Sequence, residues 1–363
     1  MLDDITLLSD QETQDEIMFI GSEEERKLHR LLNLVTTIRA CHVDFAHLRE
    51  IRADFRNLLA RDNESSEGSV IALFGASRSG KSKLLLDFQA ECEALDQQLG
   101  NITLRNGDWA RRRTYVQVNV PDSSMKTLME RLHSELNEHQ KTTRRLRRFD
   151  YEEEIDYFCK ERRVRVIAFD EVHQGIASTK SRARSAWEVA QKIKDFTNRG
   201  DRSIILSGTE EAEALLLANK ELASRCHVIH RLLPLNWERG RDRQECKQLL
   251  EAYDQQLEKT VFSKHSDLAE DDLAFRIYVA AGGVIGQMAT LVEIAAKKAV
   301  YDLVEGKADR VLKRHFELAF EKWAFGRERS NPFSTQKGSV VEATAPVIKR
   351  SSRRAGRDRD FRS

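Results

Sequence analysis

Several features of secreted and membrane proteins are missing from this sequence of 363 residues. It contains no apolar run of the roughly eighteen residues that a transmembrane helix requires, and its acidic N-terminus lacks the basic-then-apolar order of a secretory signal. Its five cysteines are scattered without a C-x-x-C pair, which is typical of reduced thiols and not of a disulfide framework. The sequence therefore predicts a cytoplasmic protein that does not span a membrane.

Proline is also scarce, with four residues in the chain, and this favours a helix-rich protein. Charged residues make up 33% of the sequence, but the formal net charge is only +1. That small value conceals segregation, because residues 1–18 are acidic whereas residues 327–363 carry ten lysines and arginines against four acidic residues. The last stretch lacks apolar periodicity, so we predict a disordered basic tail over 327–363.

The strongest signal is the stretch Val70–Ser82, VIALFGASRSGKS. Its five leading apolar residues are typical of a buried strand, and the motif G-x-x-x-x-G-K-S follows, ahead of an unbroken helical stretch. The glycines let backbone N–H groups turn towards phosphate oxygens, the lysine reaches the β- and γ-phosphates, and the serine hydroxyl is a Mg²⁺ ligand. The residues predicted to bind the nucleotide are Gly75, Ala76, Ser77, Arg78, Ser79, Gly80, Lys81 and Ser82. A chance match in a glycine turn would not explain the strand before it and the helix after it.

A further apolar run, residues 164–169, ends in the adjacent carboxylates of Asp170 and Glu171. Ligands of open α/β sheets bind at the carboxyl ends of the strands, so we expect these carboxylates beside the phosphate loop. Asp170 is predicted to hold Mg²⁺ together with Ser82, and Glu171 to polarise the attacking water. The alternatives are an acidic pair that only ends a strand, and a helicase box, which would need two tandem motor domains.

Polar residues also end the next predicted strand, where Ser207 and Thr209 are placed to hydrogen-bond the γ-phosphate or the attacking water. A structural role is the alternative, since serine and threonine are frequent at strand ends. Arg225 precedes the fifth predicted strand and is a candidate arginine finger on a neighbouring subunit's nucleotide. Its alternative role is to interact with the dipole at a helix terminus.

Five short apolar runs separated by helical stretches predict an α/β protein with a three-layer α/β/α arrangement around a five-stranded parallel sheet. The runs lie near residues 70–74, 115–120, 164–169, 203–207 and 227–233. We predict a helical N-terminal region over residues 1–66, a nucleotide-binding α/β domain over 67–236, a small helical lid over 237–326, and then the tail.

This order of phosphate loop, Asp-Glu pair, polar strand end, arginine and helical lid resembles the AAA+ ATPases. Within that class the chain resembles the TniB/TnsC-type transposition regulators, including those of CRISPR-associated transposons, in the stretches VNVPDSSMKTLMERL, FDEVHQ, LSGTEEAEALL and AGGVIGQMATLVEIAAKKA. The resemblance implies a bacterial, DNA-associated ATPase that uses ATP and Mg²⁺ with slow, regulatory hydrolysis. It also implies a homo-oligomeric ring or helical filament on double-stranded DNA, which links a target-selector protein of the TniQ type to a transposase.

Two short segments bear on how far the resemblance extends. Many AAA+ proteins carry an arginine at the start of the third lid helix, but the segment Gly283-Val284-Ile285-Gly286-Gln287 has none. The resemblance therefore does not extend to lid sensing of hydrolysis through that arginine. Ile20 and Gly21 resemble the AAA+ segment that packs against adenine, and a simple helix-entry turn is the alternative.

Basic residues after two predicted strands are the candidate DNA contacts: Lys126 after the second strand, and Lys180, Arg182 and Arg184 in a loop after the third. In an AAA+ ring both loops can face the central channel, where such side chains make sequence-independent phosphate contacts. A solvated charged surface is the alternative. The Arg111–Arg113 cluster and the run Lys141–Arg148 are further candidates.

Two other functions are compatible with an AAA+ pattern. A replication initiator or helicase loader often adds a winged-helix DNA domain, and no stretch after the predicted lid has the length and apolar content to form one. A signalling NTPase that binds protein and not DNA would lack salt-dependent binding to a duplex.

Overall fold

The five-stranded sheet predicted from the sequence is present in the computed structural model of the chain. The structure describes residues 23–60 except 42 and 44, 68–121 except 105, 106 and 108, 125–137, 148–176, 182–198, 202–323 and 330–334. These residues divide into two compact units. One is formed by residues within Met1–Ala40, Tyr253–Gly283 and Thr290–Ser363, and the other by residues within Cys41–Ala252 and Val284–Ala289.

The sheet lies in the second of these units, and all its strands run parallel. Its strands are β1 Val70–Gly75, β4 Tyr115–Asn119, β5 Val166–Asp170, β6 Ser203–Gly208 and β7 Cys226–Leu232. Their spatial order is β4-β5-β6-β1-β7, so β1 lies between β6 and β7. Two short strands that were not predicted, β2 Ile102–Thr103 and β3 Trp109–Ala110, form a separate antiparallel pair.

Alternate residues of β1 are buried on opposite faces of the sheet, as the two-residue period of a strand requires. Val70, Ala72 and Phe74 belong to one apolar cluster, whereas Ile71 and Leu73 belong to another. The other strands and the helices on each face supply most of the remaining residues of both clusters, so the predicted three-layer α/β/α arrangement is confirmed. Every residue of β1, β5 and β6 is buried, which explains why these strands read as continuous apolar runs.

The helices of the described residues connect these strands and continue beyond β7. They are α1 Glu23–Ala40, α2 Ala46–Leu59, α3 Lys81–Leu99, α4 Met125–Leu136, α5 Arg148–Glu161, α6 Arg182–Thr197, α7 Glu213–Ala218, α8 Lys220–Arg225, α9 Gly240–Thr260, α10 Asp271–Ala281, α11 Ile285–Val304 and α12 Lys313–Lys322. Two 3-10 turns, Val172–Gly175 and Glu210–Ala212, follow β5 and β6.

Within the described ranges no single helix is long and apolar enough to cross a membrane. The consecutive helices α10 and α11 reach the required length and composition only when they are taken together across the break between them.

The starts of α6 and α12 lie several residues from the positions that the sequence pattern favours. The sequence pattern placed the start of the sixth helix near Ala186, but α6 begins at Arg182, and an ion pair between Arg184 and Glu188, four residues apart, supports this first turn. A helix predicted from Lys307 begins only at Lys313. Gly306, with φ of 69°, and Lys307 donate backbone hydrogen bonds to Leu303 and Asp302, so these residues terminate α11.

Part of the predicted tail is packed against α12, which corrects the prediction of a structureless segment over 327–363. Phe333 is 2% exposed, and its ring lies 5.4 Å from that of Phe316 and 6.3 Å from that of Phe320. Arg276 donates a hydrogen bond to the carbonyl oxygen of Pro332. A five-residue turn with one apolar anchor is too short to show the periodicity on which the sequence prediction depended.

The packing of Phe333 leads to a stability prediction. Phe333→Ala is expected to lower the free energy of unfolding of the helical unit by about 3–5 kcal/mol, because it leaves a cavity between the rings of Phe316 and Phe320. Denaturant unfolding followed by circular dichroism measures the change. The matched control is the chain truncated after Ser334, which keeps the anchor and should unfold like the intact chain. Equal stability of Phe333→Ala and the wild type would contradict the anchoring role.

Candidate nucleotide site

The phosphate loop joins β1 to α3, and its two motif glycines are needed for different reasons. A Cβ at Gly75 would lie 2.6 Å from the carbonyl oxygen of Leu232, so only glycine fits at this point. Gly80 precedes α3 with φ of 102°, a conformation that residues with a side chain rarely adopt. Arg78 also has a positive φ, of 63°. The backbone therefore has the sharp curl that the motif predicts.

Lys81, the first residue of α3, places a buried cation at this loop. It is 4% exposed, and its ammonium group donates hydrogen bonds to the carbonyl oxygens of Gly75 and Ala76, each at 2.9 Å. Burial lowers the pKa of Lys81, while the nearby carboxylates of Glu171 and Asp170 act in the opposite direction. A cation that has lost water and contacts neutral carbonyls gains stability when an anion binds beside it.

Asp170 connects three parts of the chain at the carboxyl end of the sheet. Its Oδ2 accepts a hydrogen bond from Ser82 Oγ at 3.0 Å, and its Oδ1 accepts from Ser207 Oγ at 2.7 Å. The backbone N–H of Glu171 donates to Oδ1 at 2.9 Å, and Gln117 Nε2 lies 3.5 Å from Oδ2. The structure thus brings together the first turn of α3 and the ends of β5 and β6, as the sequence predicted.

Glu171 follows Asp170 in a left-handed conformation, with φ of 55°, at the start of the 3-10 turn. Its Oε2 lies 3.3 Å from Nε2 of His173 and 3.5 Å from Nε2 of Gln174. On its other side, His173 Nδ1 accepts a hydrogen bond from the backbone N–H of Thr209 at 3.3 Å. The sequence pattern assigned no role to His173, although this residue lies only two positions after Glu171.

Two hydroxyl groups at the site, Ser79 Oγ and Thr209 Oγ1, are buried and have no hydrogen-bond partner in the part of the chain that the structure describes. Such groups are costly unless something binds to them. Phosphate oxygens or a phosphate-bound water would satisfy both, so the site fits a nucleotide. The side-chain oxygens of Ser82 and Asp170 fit Mg²⁺, which prefers oxygen ligands.

The start of α11 contacts the phosphate loop through a backbone hydrogen bond. The N–H of Gly286 donates to the carbonyl oxygen of Arg78 at 3.0 Å, and a Cβ at Gly286 would overlap that oxygen. This is the segment in which the AAA+ pattern places an arginine. The sequence signal was a glycine at the head of a helix, where its small size permits close approach.

Arg225 ends α8 and is held within its own chain. Its Nη1 donates hydrogen bonds to Thr197 Oγ1 at 2.5 Å, Asn198 Oδ1 at 2.6 Å and the Lys194 carbonyl oxygen at 3.3 Å. These groups lie at the C-terminal end of α6, where a cation interacts favourably with the helix dipole. The geometry matches the alternative role considered for this arginine, and a finger role would require these bonds to open.

The structure places three of the predicted DNA contacts in helices and not in the two predicted loops. Arg182 and Arg184 lie in the first turn of α6, and the Arg184 side chain is exposed and pairs with Glu188 at 3.0 Å. Lys126 is the second residue of α4. Lys180, like the candidate adenine contacts Ile20 and Gly21, lies outside the described residues.

The parallel sheet, the phosphate loop after β1 and the Asp-Glu pair at the end of β5 define the AAA+ P-loop class. The family model described as "Bacterial TniB protein" matches residues 37–234, and the chain belongs to this family.

Solved structures support the class assignment at the level of the fold. The chain is similar to the ORC1 protein of Aeropyrum pernix in complex with DNA, with 13% identity and a TM-score of 0.53 over 80% of this chain and 68% of that chain. It is also similar to Cdc6p of Pyrobaculum aerophilum, with 12% identity and a TM-score of 0.51 over 78% and 68% of the two chains. No curated protein matches the sequence.

Proposed function

We propose that this TniB-family protein is an ATPase whose ATP-bound form assembles on double-stranded DNA and connects target selection to the transposase in DNA transposition. The observation that carries the ATPase part is the hydrogen-bonded cluster of Ser82, Asp170 and Ser207 beside the buried Lys81. Membership of the TniB family supports the transposition part. The target-selector partner of the TniQ type belongs to the same proposal.

In this proposal the phosphate loop and Lys81 bind the β- and γ-phosphates of ATP. Ser82 and Asp170 would hold Mg²⁺, which supplies positive charge against the charge that develops on the phosphates. Glu171 takes a proton from water as the water oxygen bonds to the γ-phosphorus. The bond from that phosphorus to the bridging oxygen breaks, and ADP and phosphate result.

The two candidate residues at the end of β6 have different surroundings. Ser207 is fully buried, and its hydroxyl group donates a hydrogen bond to Asp170, so it orients that carboxylate. The Thr209 hydroxyl has no such partner among the described residues and is therefore the better candidate for the γ-phosphate or the attacking water.

Arg225 enters the proposal as a residue with two states. In the free chain it binds the end of α6. In an assembly it would act on a neighbouring subunit's nucleotide only after it exchanges those bonds for contacts with phosphate oxygens.

The DNA part of the proposal is tested by neutralising Lys180, Arg182 and Arg184 together. Each phosphate contact releases counterions, so their loss should weaken duplex binding at all sequences alike and flatten its dependence on salt. Fluorescence anisotropy with ATP and labelled duplexes measures both effects. ATP binding by the single subunit should survive.

A matched variant neutralises Lys259, Lys264 and Lys307 instead. These lysines belong to the other compact unit, and their neutralisation removes the same amount of charge. Equal loss in both variants would show a general charge effect. Normal binding by the first variant would move the DNA surface to the Arg111 cluster, the run Lys141–Arg148 or the tail. Absence of salt-dependent duplex binding in the wild type would favour the signalling NTPase.

A further inference from the structure

The imidazole of His173 lies between Glu171 and Thr209, two residues of the proposed reaction at the carboxyl end of the sheet. Its Nε2 is 3.3 Å from Glu171 Oε2, and its Nδ1 is 3.3 Å from the backbone nitrogen of Thr209. The side chain is 20% exposed and packs closely beside β6, because a Cβ at Gly208 would lie 3.4 Å from Nδ1. A residue held at both ring nitrogens has little freedom to turn.

The Thr209 amide determines which ring nitrogen carries the proton. A backbone N–H can only donate, so Nδ1 must accept and is unprotonated. In the neutral ring the proton then lies on Nε2, the nitrogen that faces Glu171, and this N–H donates to the carboxylate. A doubly protonated ring would set its Nδ1–H against the Thr209 N–H, so the contacts belong to the neutral form.

Glu171 is held through one carboxylate oxygen. His173 and Gln174 both lie within hydrogen-bond distance of Oε2, at 3.3 Å and 3.5 Å. Among the described residues, no hydrogen bond or ion pair reaches Oε1. The carboxylate is therefore fixed at one end, and its other oxygen can accept a proton from water.

We infer that His173 is a positioning residue for ATP hydrolysis: its Nε2–H holds one oxygen of the Glu171 carboxylate, and the Thr209 backbone N–H at the end of β6 orients the ring. The inference rests on the proposed role of Glu171 as the base. Oε1 accepts the proton of the attacking water, while His173 holds Oε2 and exchanges no proton in that step.

Two amide substitutions separate the two functions of the ring. His173→Gln places an amide nitrogen near the position of Nε2 and keeps a donor for Glu171. His173→Asn places an amide oxygen near the position of Nδ1, keeps the acceptor for Thr209, and is too short to reach Glu171. The matched control is Gln174→Ala, which removes a longer contact to the same oxygen that is not tied to β6.

His173→Asn is expected to lower kcat roughly five- to tenfold, the effect of one hydrogen bond, with unchanged KM for ATP. His173→Gln and Gln174→Ala should stay within about twofold of the wild type. Wild-type kcat in the asparagine variant, or equal loss in the asparagine and glutamine variants, overturns the inference. A parallel fall of kcat, ATP affinity and thermal stability would also overturn it, because the ring would then only support the fold.

Glu171→Gln is assayed alongside to separate this inference from the proposed function. If Glu171→Gln hydrolyses ATP normally, the proposed base is wrong; if it is inactive while His173→Asn is fully active, only the positioning role fails. Nitrogen-15 NMR of the histidine-labelled full chain gives a readout that does not depend on activity. The signal lost in His173→Gln should be that of a ring protonated on Nε2, and a ring protonated on Nδ1 or on both nitrogens would contradict the inference.

Discussion

Lys81→Ala is expected to remove ATP binding, and with it every ATP-dependent property of this chain, while the fold remains. The Lys81 ammonium is buried at the phosphate loop, and its hydrogen-bond partners are the carbonyl oxygens of Gly75 and Ala76. Removal of a buried charge that pairs with an opposite charge costs about 2–5 kcal/mol of binding free energy. This corresponds to roughly a 30-fold to several-thousand-fold loss of affinity.

Calorimetric titration with ATP measures the loss, and thermal unfolding checks the fold. Burial already lowers the pKa of Lys81, so the folded chain gains little from this charge without an anion, and its unfolding temperature should change little. Lys83→Ala is the matched control, since Lys83 is half exposed and pairs with Asp87 at 2.8 Å, away from the loop. Normal ATP affinity in Lys81→Ala would refute the phosphate-loop assignment.

Glu171→Gln is expected to separate ATP binding from ATP hydrolysis. The glutamine keeps the shape of the side chain and leaves Asp170, Ser82 and Lys81 in place, but it cannot accept the proton of the attacking water. A general base contributes about 10²–10⁴-fold to a rate, so hydrolysis should fall at least a hundredfold while ATP affinity stays within a few-fold. Single-turnover phosphate release measures the first quantity, and ATP titration measures the second.

The same variant should form longer-lived assemblies on duplex DNA, because the ATP-bound form persists. Glu210→Gln serves as its control, since Glu210 is an exposed carboxylate that follows Thr209 and has no role in the proposed reaction. Wild-type turnover in Glu171→Gln would place the base elsewhere. Unchanged assembly lifetimes together with lost hydrolysis would separate the ATPase from the proposed DNA function.

The sheet and the centre of the site followed from the sequence because each is encoded locally. Buried parallel strands give uninterrupted apolar runs, and the carboxyl end of each strand is the next few residues of the chain. Residues 70–82 and 166–171 therefore predicted both the order of the elements and the meeting of Ser82 with Asp170, which the structure places 3.0 Å apart between Oγ and Oδ2.

Features that depend on contacts distant in sequence were not predictable in this way. Gly286 is important because it approaches Arg78, more than two hundred residues earlier, and His173 is important because it contacts the Thr209 amide just after the next strand. Phe333 was assigned to the tail because one aromatic residue makes no pattern, yet it packs on α12. In each case the local sequence permits the contact, and only the fold supplies the partner.

The central claim, that ATP binding drives assembly on DNA, is tested most directly by electron microscopy of the protein with duplex DNA and a non-hydrolysable ATP analogue. The account predicts regular rings or helical filaments around the duplex with the analogue, none without nucleotide, and none for Lys81→Ala under any condition. Assemblies that form equally well without nucleotide, or with Lys81→Ala, would contradict it.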